Sequence, residues 1–246
     1  MIDGCRLSRS QVEVSRHSDV EHVESLLSGS AAPRKMVVVD SVYSMDGDTA
    51  PLGDLAAVCA RQRALLVLDD AHNVLGPSAT ELRGVPGLEV LHVATLSKAL
   101  GSLGGAVCGP RAVVELLVNR ARSFIFSTAL GPSDTAAAIA ALEVLGSAEG
   151  NALLRRLREL VDRVSPGHPS PIVPFVVGSE RDALVASERL LELGLLIPAI
   201  RPPTVPPGTS RLRVAMSAAH SDAMVDALLR GLEAVGLGPG AAEVHG

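Results

Sequence analysis

The chain has 246 residues and a net charge of −5, with its basic residues scattered rather than blocked, so a nucleic-acid footprint is not expected. It is 47% hydrophobic but only 2% aromatic, which suits a soluble globular chain whose core is built from Leu, Val and Ala. No apolar run approaches the ~18 residues of a bilayer span, and nothing after Met1 has the pattern of a secretory signal. Cys5, Cys59 and Cys108 are too few and scattered for a disulfide framework or a zinc site, so a reducing, cytoplasmic setting is the default.

In chain order, Ser18 is placed to cap a short helix over 19–27. Met36 to Val39 reads as a strand ending in Asp40. Leu55, Val58 and Cys59 show helical spacing after Pro51. Ala64 to Leu68 is an apolar strand ending in Asp69-Asp70, Glu89 to Ala94 another, and Gly105 to Cys108 a short one. Pro110 opens a helix, and an Ala-rich helix is predicted over 132–145. Strands alternating with helices argue for an α/β sheet with helical crossovers. Beyond residue 150 the pattern changes to a helix over 155–164, a proline-rich connector, and strands over 172–177, near 195–200 and over 212–216. A closing helix is predicted over 224–235. Pro174 places its strand at an edge or a bulge. The expected organisation is therefore a larger domain over 1–150 and a smaller α+β domain over 151–246.

Polar residues gather where strands end, which is where open α/β sheets bind ligands. Three such clusters follow in succession: 41–48, Asp69-Asp70-Ala71-His72, and Thr95-Leu96-Ser97-Lys98 with Gly101-Ser102-Leu103-Gly104-Gly105. Lys98 is set between small hydroxyls and a glycine-rich loop, where burial would free its amine to form a Schiff base. Asp69 ends an apolar strand and is placed to face a cationic ring nitrogen, with His72 three residues on. Two other readings compete on these residues. Leu66-Val67-Leu68-Asp69-Asp70 resembles the second motif of P-loop ATPases, but the required upstream glycine-lysine loop is absent. A metal hydrolase on Asp69, Asp70, His72 and His92 lacks any paired-histidine motif, so no metal is expected.

Four segments then carry a resemblance. These are Val42-Tyr43-Ser44-Met45-Asp46-Gly47-Asp48-Thr49-Ala50-Pro51-Leu52, Asp69-Asp70-Ala71-His72, Thr95 to Gly105, and Arg120 to Ala129. In that order they resemble the α-oxoamine synthase family of pyridoxal-phosphate (PLP) enzymes. Arg201-Pro202-Pro203-Thr204-Val205-Pro206, with Gly208 to Arg213, resembles the branch that condenses L-alanine with a pimeloyl thioester in biotin synthesis. A second branch, glycine C-acetyltransferase, is the alternative.

The resemblance implies a fold-type I PLP-dependent transferase: a mainly parallel α/β sheet in a large domain, a small C-terminal α+β domain, and a homodimer. It implies decarboxylative condensation of alanine with pimeloyl-carrier protein or pimeloyl-CoA. Lys98 would hold PLP and act as base, Asp69 would pair with the pyridine nitrogen, and His72 and Ser44 would contact the ring-hydroxyl region. Thr95 would lie near the cofactor, Thr204 would line the substrate path, and Arg213 would grip the amino-acid carboxylate.

The chain opens at the family segment that follows an Asn-His-Ala-Ser motif, so the family's N-terminal part is expected to be missing. Asn73 stands where the family has glycine, and Ala94 where glycine is frequent. A non-catalytic remnant or subunit is the reading from another class.

Overall fold

The computed structural model describes residues 2–74, 82 and 84–238. Two compact units divide the chain: Met1–Ser41, Ala50–His72 and Pro77–Ile139 form the first, and Val42–Thr49, Asn73–Gly76 and Ala140–Gly246 the second. The units interleave along the sequence, and the second borrows a turn and a short segment from the N-terminal half.

The first unit is built on β1 (Lys35–Asp40), β2 (Ala64–Asp69), β3 (Glu89–Thr95) and β4 (Gly105–Cys108), in that sheet order. The first three run parallel, with Asp40 opposite Asp69 and Asp69 opposite Val93. β4 returns antiparallel, with Thr95 opposite Gly105, after a reversal in which Gly101 and Gly104 take positive φ. Strand alternation sorts β2: Ala64, Leu66 and Leu68 are buried on one face, while Leu65, Val67 and Asp69 share the other.

The helices α1 (Ile2–Leu7), α2 (Val20–Gly29), α3 (Leu52–Gln62), α4 (Arg111–Arg120) and α5 (Arg122–Ile125) belong to this unit, and α6 (Pro132–Leu145) runs from it into the second. In α3 the apolar stripe of Leu52, Leu55, Ala56, Val58 and Cys59 is buried, as its spacing requires. The expected cap of α2 is corrected. Ser18 has φ +51, and Asp19 instead accepts from the His22 N–H at 2.8 Å. No single helix among the described residues is long and apolar enough to cross a membrane.

The second unit holds α7 (Ala148–Val164), β5 (Ile172–Gly178), α8 (Glu180–Glu192), β6 (Ala199–Ile200), β7 (Ser210–Ala215) and α9 (Asp222–Ala234). Its antiparallel sheet has the order β5-β7-β6, so Pro174 lies in an edge strand, next to a register shift at 176–178. Leu160, Val161, Phe175, Leu190 and Leu212 are fully buried at its core. α7 begins earlier than predicted because Ser147 caps it through the Gly150 N–H. β6 is shorter than predicted. Gly194 at φ +79 turns the chain just before it, Pro198 falls inside it, and only Ala199–Ile200 pairs with β7.

One buried histidine should make this unit sensitive to acid. His168 is 1% exposed, and burial holds its imidazole below the ordinary value, with the hydrogen bond to Ser170 and the charge of Asp48 pulling the other way and Arg158 reinforcing the depression. The unfolded chain therefore takes up this proton first as pH falls. The contribution is fully present above the unfolded pKa of about 6.5 and is lost as pH drops through the lower folded value. The urea midpoint should fall between pH of about 7 and about 5, and His168→Gln should flatten that part of the profile. An unchanged slope in the variant would assign the acid sensitivity elsewhere.

Candidate active site

In the first unit, Asp69, His72, Thr95 and Lys98 gather at the carboxyl ends of β2 and β3. Lys98 Nζ lies 2.8 Å from His72 Nε2. Asp69 is half-buried, and its Oδ1 accepts the Ala71 N–H at 3.0 Å, which shapes the turn carrying His72. Thr95 Oγ1 is 2.8 Å from Ser97 Oγ and accepts the Ser97 N–H at 3.3 Å, so the hydroxyls preceding Lys98 form a small network. The Leu96 N–H reaches Gly104 O at 2.9 Å and the Ser102 N–H reaches Leu96 O at 2.8 Å, folding the glycine loop back on the strand end.

Lys98 differs from expectation in one respect. Its side chain is exposed in this chain. The imidazole of His72 is the group beside it. Asp40, which sequence reasoning left as a strand end, joins the same edge. Burial raises its carboxyl above the ordinary value and the neighbouring charge of Asp69 adds to this, while Lys98 opposes it. His92 lies beside Asp70, Nδ1 to Oδ2 at 2.7 Å.

In the second unit, Arg213 lies on β7 and its Nε donates to Ser44 O at 2.7 Å. Burial lowers the guanidinium pKa from its usual value, yet arginine stays charged in proteins. Thr204 is exposed in the loop after β6, where its N–H donates to Arg201 O at 3.0 Å. Ser44 sits in a turn closed by Tyr43 N–H to Asp48 O at 3.0 Å and Gly47 N–H to Tyr43 O at 2.8 Å. Arg211, 3% exposed, pairs with Asp46 in that turn. Sequence reasoning passed over this pair, and its only signal was the Arg-x-Arg alternation on a strand.

A family model described as aminotransferase class I and II matches residues 1–232. A curated relative from Anaeromyxobacter dehalogenans, called 8-amino-7-oxononanoate synthase, is 49% identical over 252 residues, covering 96% of this chain and 62% of its own length. The chain thus spans about 62% of that relative's length. A solved structure described as SPT with PLP internal aldimine has a TM-score of 0.85 and 30% identity, covering 96% of this chain and 64% of that one. A solved 8-amino-7-oxononanoate synthase from Francisella tularensis has a TM-score of 0.75 at 22% identity, over 95% of this chain and 70% of its own, a likeness of fold alone.

Proposed function

This chain belongs to the aminotransferase class I and II family, with the fold-type I architecture, and from that premise we propose that its residues serve a PLP-dependent acyltransferase. The reaction we assign is the condensation of L-alanine with a pimeloyl thioester, on carrier protein or CoA, with loss of CO₂, to give 8-amino-7-oxononanoate for biotin synthesis. A cytoplasmic homodimer is part of this reading. The observation that carries it is Lys98 Nζ at 2.8 Å from His72 Nε2, on the strand-end edge that also presents Asp69. The relatives' name gives the product, and the resemblance of the sequence segments supplies the substrate pair.

The donor set fits PLP. It offers a primary amine for an aldehyde, a carboxylate for a pyridinium nitrogen and an imidazole beside the amine. Lys98 would hold the cofactor, Asp69 would keep the ring nitrogen protonated, and His72 and Ser44 would meet the ring-hydroxyl region, with Thr95 alongside. When bound, PLP supplies an electron sink for charge developing at the amino-acid α-carbon. Lys98 Nζ is the base that takes and returns the α-proton, and His72 Nε2 is within reach to share it. Arg213 offers its guanidinium to the alanine carboxylate, and Thr204 lines the acyl path.

Borohydride reduction of the PLP-loaded chain, followed by peptide mapping, should place the pyridoxyl label on Lys98. Lys35 is the only other lysine, and its Nζ already donates to Leu27 O at 2.6 Å. A label on Lys35 would overturn the assignment. Arg213→Lys should weaken alanine binding by about 1–3 kcal/mol, because lysine cannot reproduce a bidentate grip. Unchanged alanine affinity with weakened acyl-donor binding would show that Arg213 serves the other substrate.

A further inference from the structure

We propose that Arg211 and Asp46 are positioning residues that hold the turn over 43–48, and through it Arg213, so that the Arg213 guanidinium presents its two terminal nitrogens to a substrate carboxylate. This rests on the reading that Arg213 takes that carboxylate.

Arg211 and Arg213 are two apart on β7 and so project from one face of the strand, while Leu212 and Val214 are buried in the core on the other. Between them the two arginines take three consecutive residues of the turn. Arg211 NH1 bonds Asp46 Oδ1 and reaches Met45 O at 3.4 Å, and its Nε donates to Thr209 O at 3.1 Å. Arg213 Nε donates to Ser44 O at 2.7 Å.

That last bond fixes the plane of the Arg213 guanidinium. Among the described residues its NH1 and NH2 have no hydrogen-bond partner, although the side chain is half-buried. A planar fork clamped at Nε with both terminal nitrogens unspent is the arrangement that a carboxylate matches bidentately.

The position of Ser44 O therefore sets the aim of Arg213, and Arg211 with Asp46 sets the position of Ser44 O. Gly47 limits the turn from the other side, since a Cβ there would stand 1.9 Å from Ile172 O. Arg211 is buried while Asp46 is partly exposed, so the pair contributes little net stability against the desolvation of the guanidinium, and its use here is better explained by the geometry it fixes. Removing Asp46 leaves the Arg211 charge buried without its partner, and loss of either residue frees the turn to shift.

The test follows the side-chain Nε–H resonances of Arg211 and Arg213 by NMR in the full chain, with and without L-alanine. In the unaltered chain the Arg213 Nε–H should be protected from solvent exchange and should shift saturably with alanine. Asp46→Asn and Arg211→Lys should each accelerate that exchange about tenfold or more and weaken alanine binding by a similar factor, the scale of one charge-assisted hydrogen bond. Asp46→Glu should recover most of both. Arg211→Lys keeps the buried charge, so it carries the test should Asp46→Asn fail to fold. Unchanged Arg213 protection in Arg211→Lys would overturn the proposal. Arg213→Gln separates the two readings: it should abolish the alanine response while leaving the Arg211 Nε–H protected. If Arg213→Gln binds alanine as the unaltered chain does, the carboxylate reading fails, while the exchange data still decide whether Arg211 and Asp46 set the aim of Arg213.

Discussion

Gly47→Ala should destabilise the second unit by about 3 kcal/mol or more, the range of severe overpacking combined with backbone strain. Gly47 has φ +70, a conformation that costs an L-residue roughly 1–2 kcal/mol by itself. A Cβ there would also stand 1.9 Å from Ile172 O and 2.9 Å from His168 Cε1. Neither neighbour can retreat cheaply. Ile172 opens β5 and is 3% exposed, and His168 is buried, with Arg158 donating to its carbonyl. Gly53 provides the control. It lies in α3, and nothing stands within 4 Å of its added Cβ, so Gly53→Ala should be neutral or stabilise by up to about 1 kcal/mol. Urea denaturation of the two variants reads the difference. A Gly47→Ala midpoint equal to that of the unaltered chain would mean that the turn relaxes away from β5.

The contrast between these glycines shows what the sequence makes legible. Met45-Asp46-Gly47-Asp48 stands out as a motif, but that its glycine is pressed against residue 172 is a tertiary fact no local pattern records. The strands were legible because β-branched and leucine-rich runs end in acids: β1 at Asp40, β2 at Asp69. That these ends lie side by side follows from parallel pairing, and the sequence implied it only through the alternation of strands and helices. Lys98 and His72, 26 residues apart, meet because β2 and β3 are neighbours. The pairing of Arg211 with Asp46 spans 165 residues and had no such cue. The short helix α1 has no buried residue, so it leaves no apolar period to read. Lys98 stands in a motif where burial would free its amine, and in this chain its side chain is exposed. A motif specifies which groups come together, whereas exposure depends on everything packed around them.

Asp69→Asn should lower turnover by about 10²–10³-fold in the assembled enzyme, the usual loss when one preorganised electrostatic group is removed. The substitution is nearly isosteric. An asparagine Oδ1 can still accept the Ala71 N–H that shapes the turn to His72, so the fold and the Lys98–His72 approach should persist. What goes is the negative charge that holds a proton on a pyridine nitrogen. The apo chain offers a readout of that charge independent of catalysis. Asp40 faces Asp69 across the β1–β2 pair, and burial first, then the Asp69 charge, raises its pKa. Removing the charge should move the Asp40 titration toward lower pH while the burial contribution stays. Because a raised carboxyl pKa stabilises the fold only at acid pH and costs stability as pH rises through it, Asp69→Asn should also reduce that loss on the way to neutral pH. NMR titration of the Asp40 carboxyl checks the charge, and turnover checks its use. If Asp40 moves as expected and turnover is unchanged, Asp69 lies where the structure places it but is not the group that keeps the ring protonated.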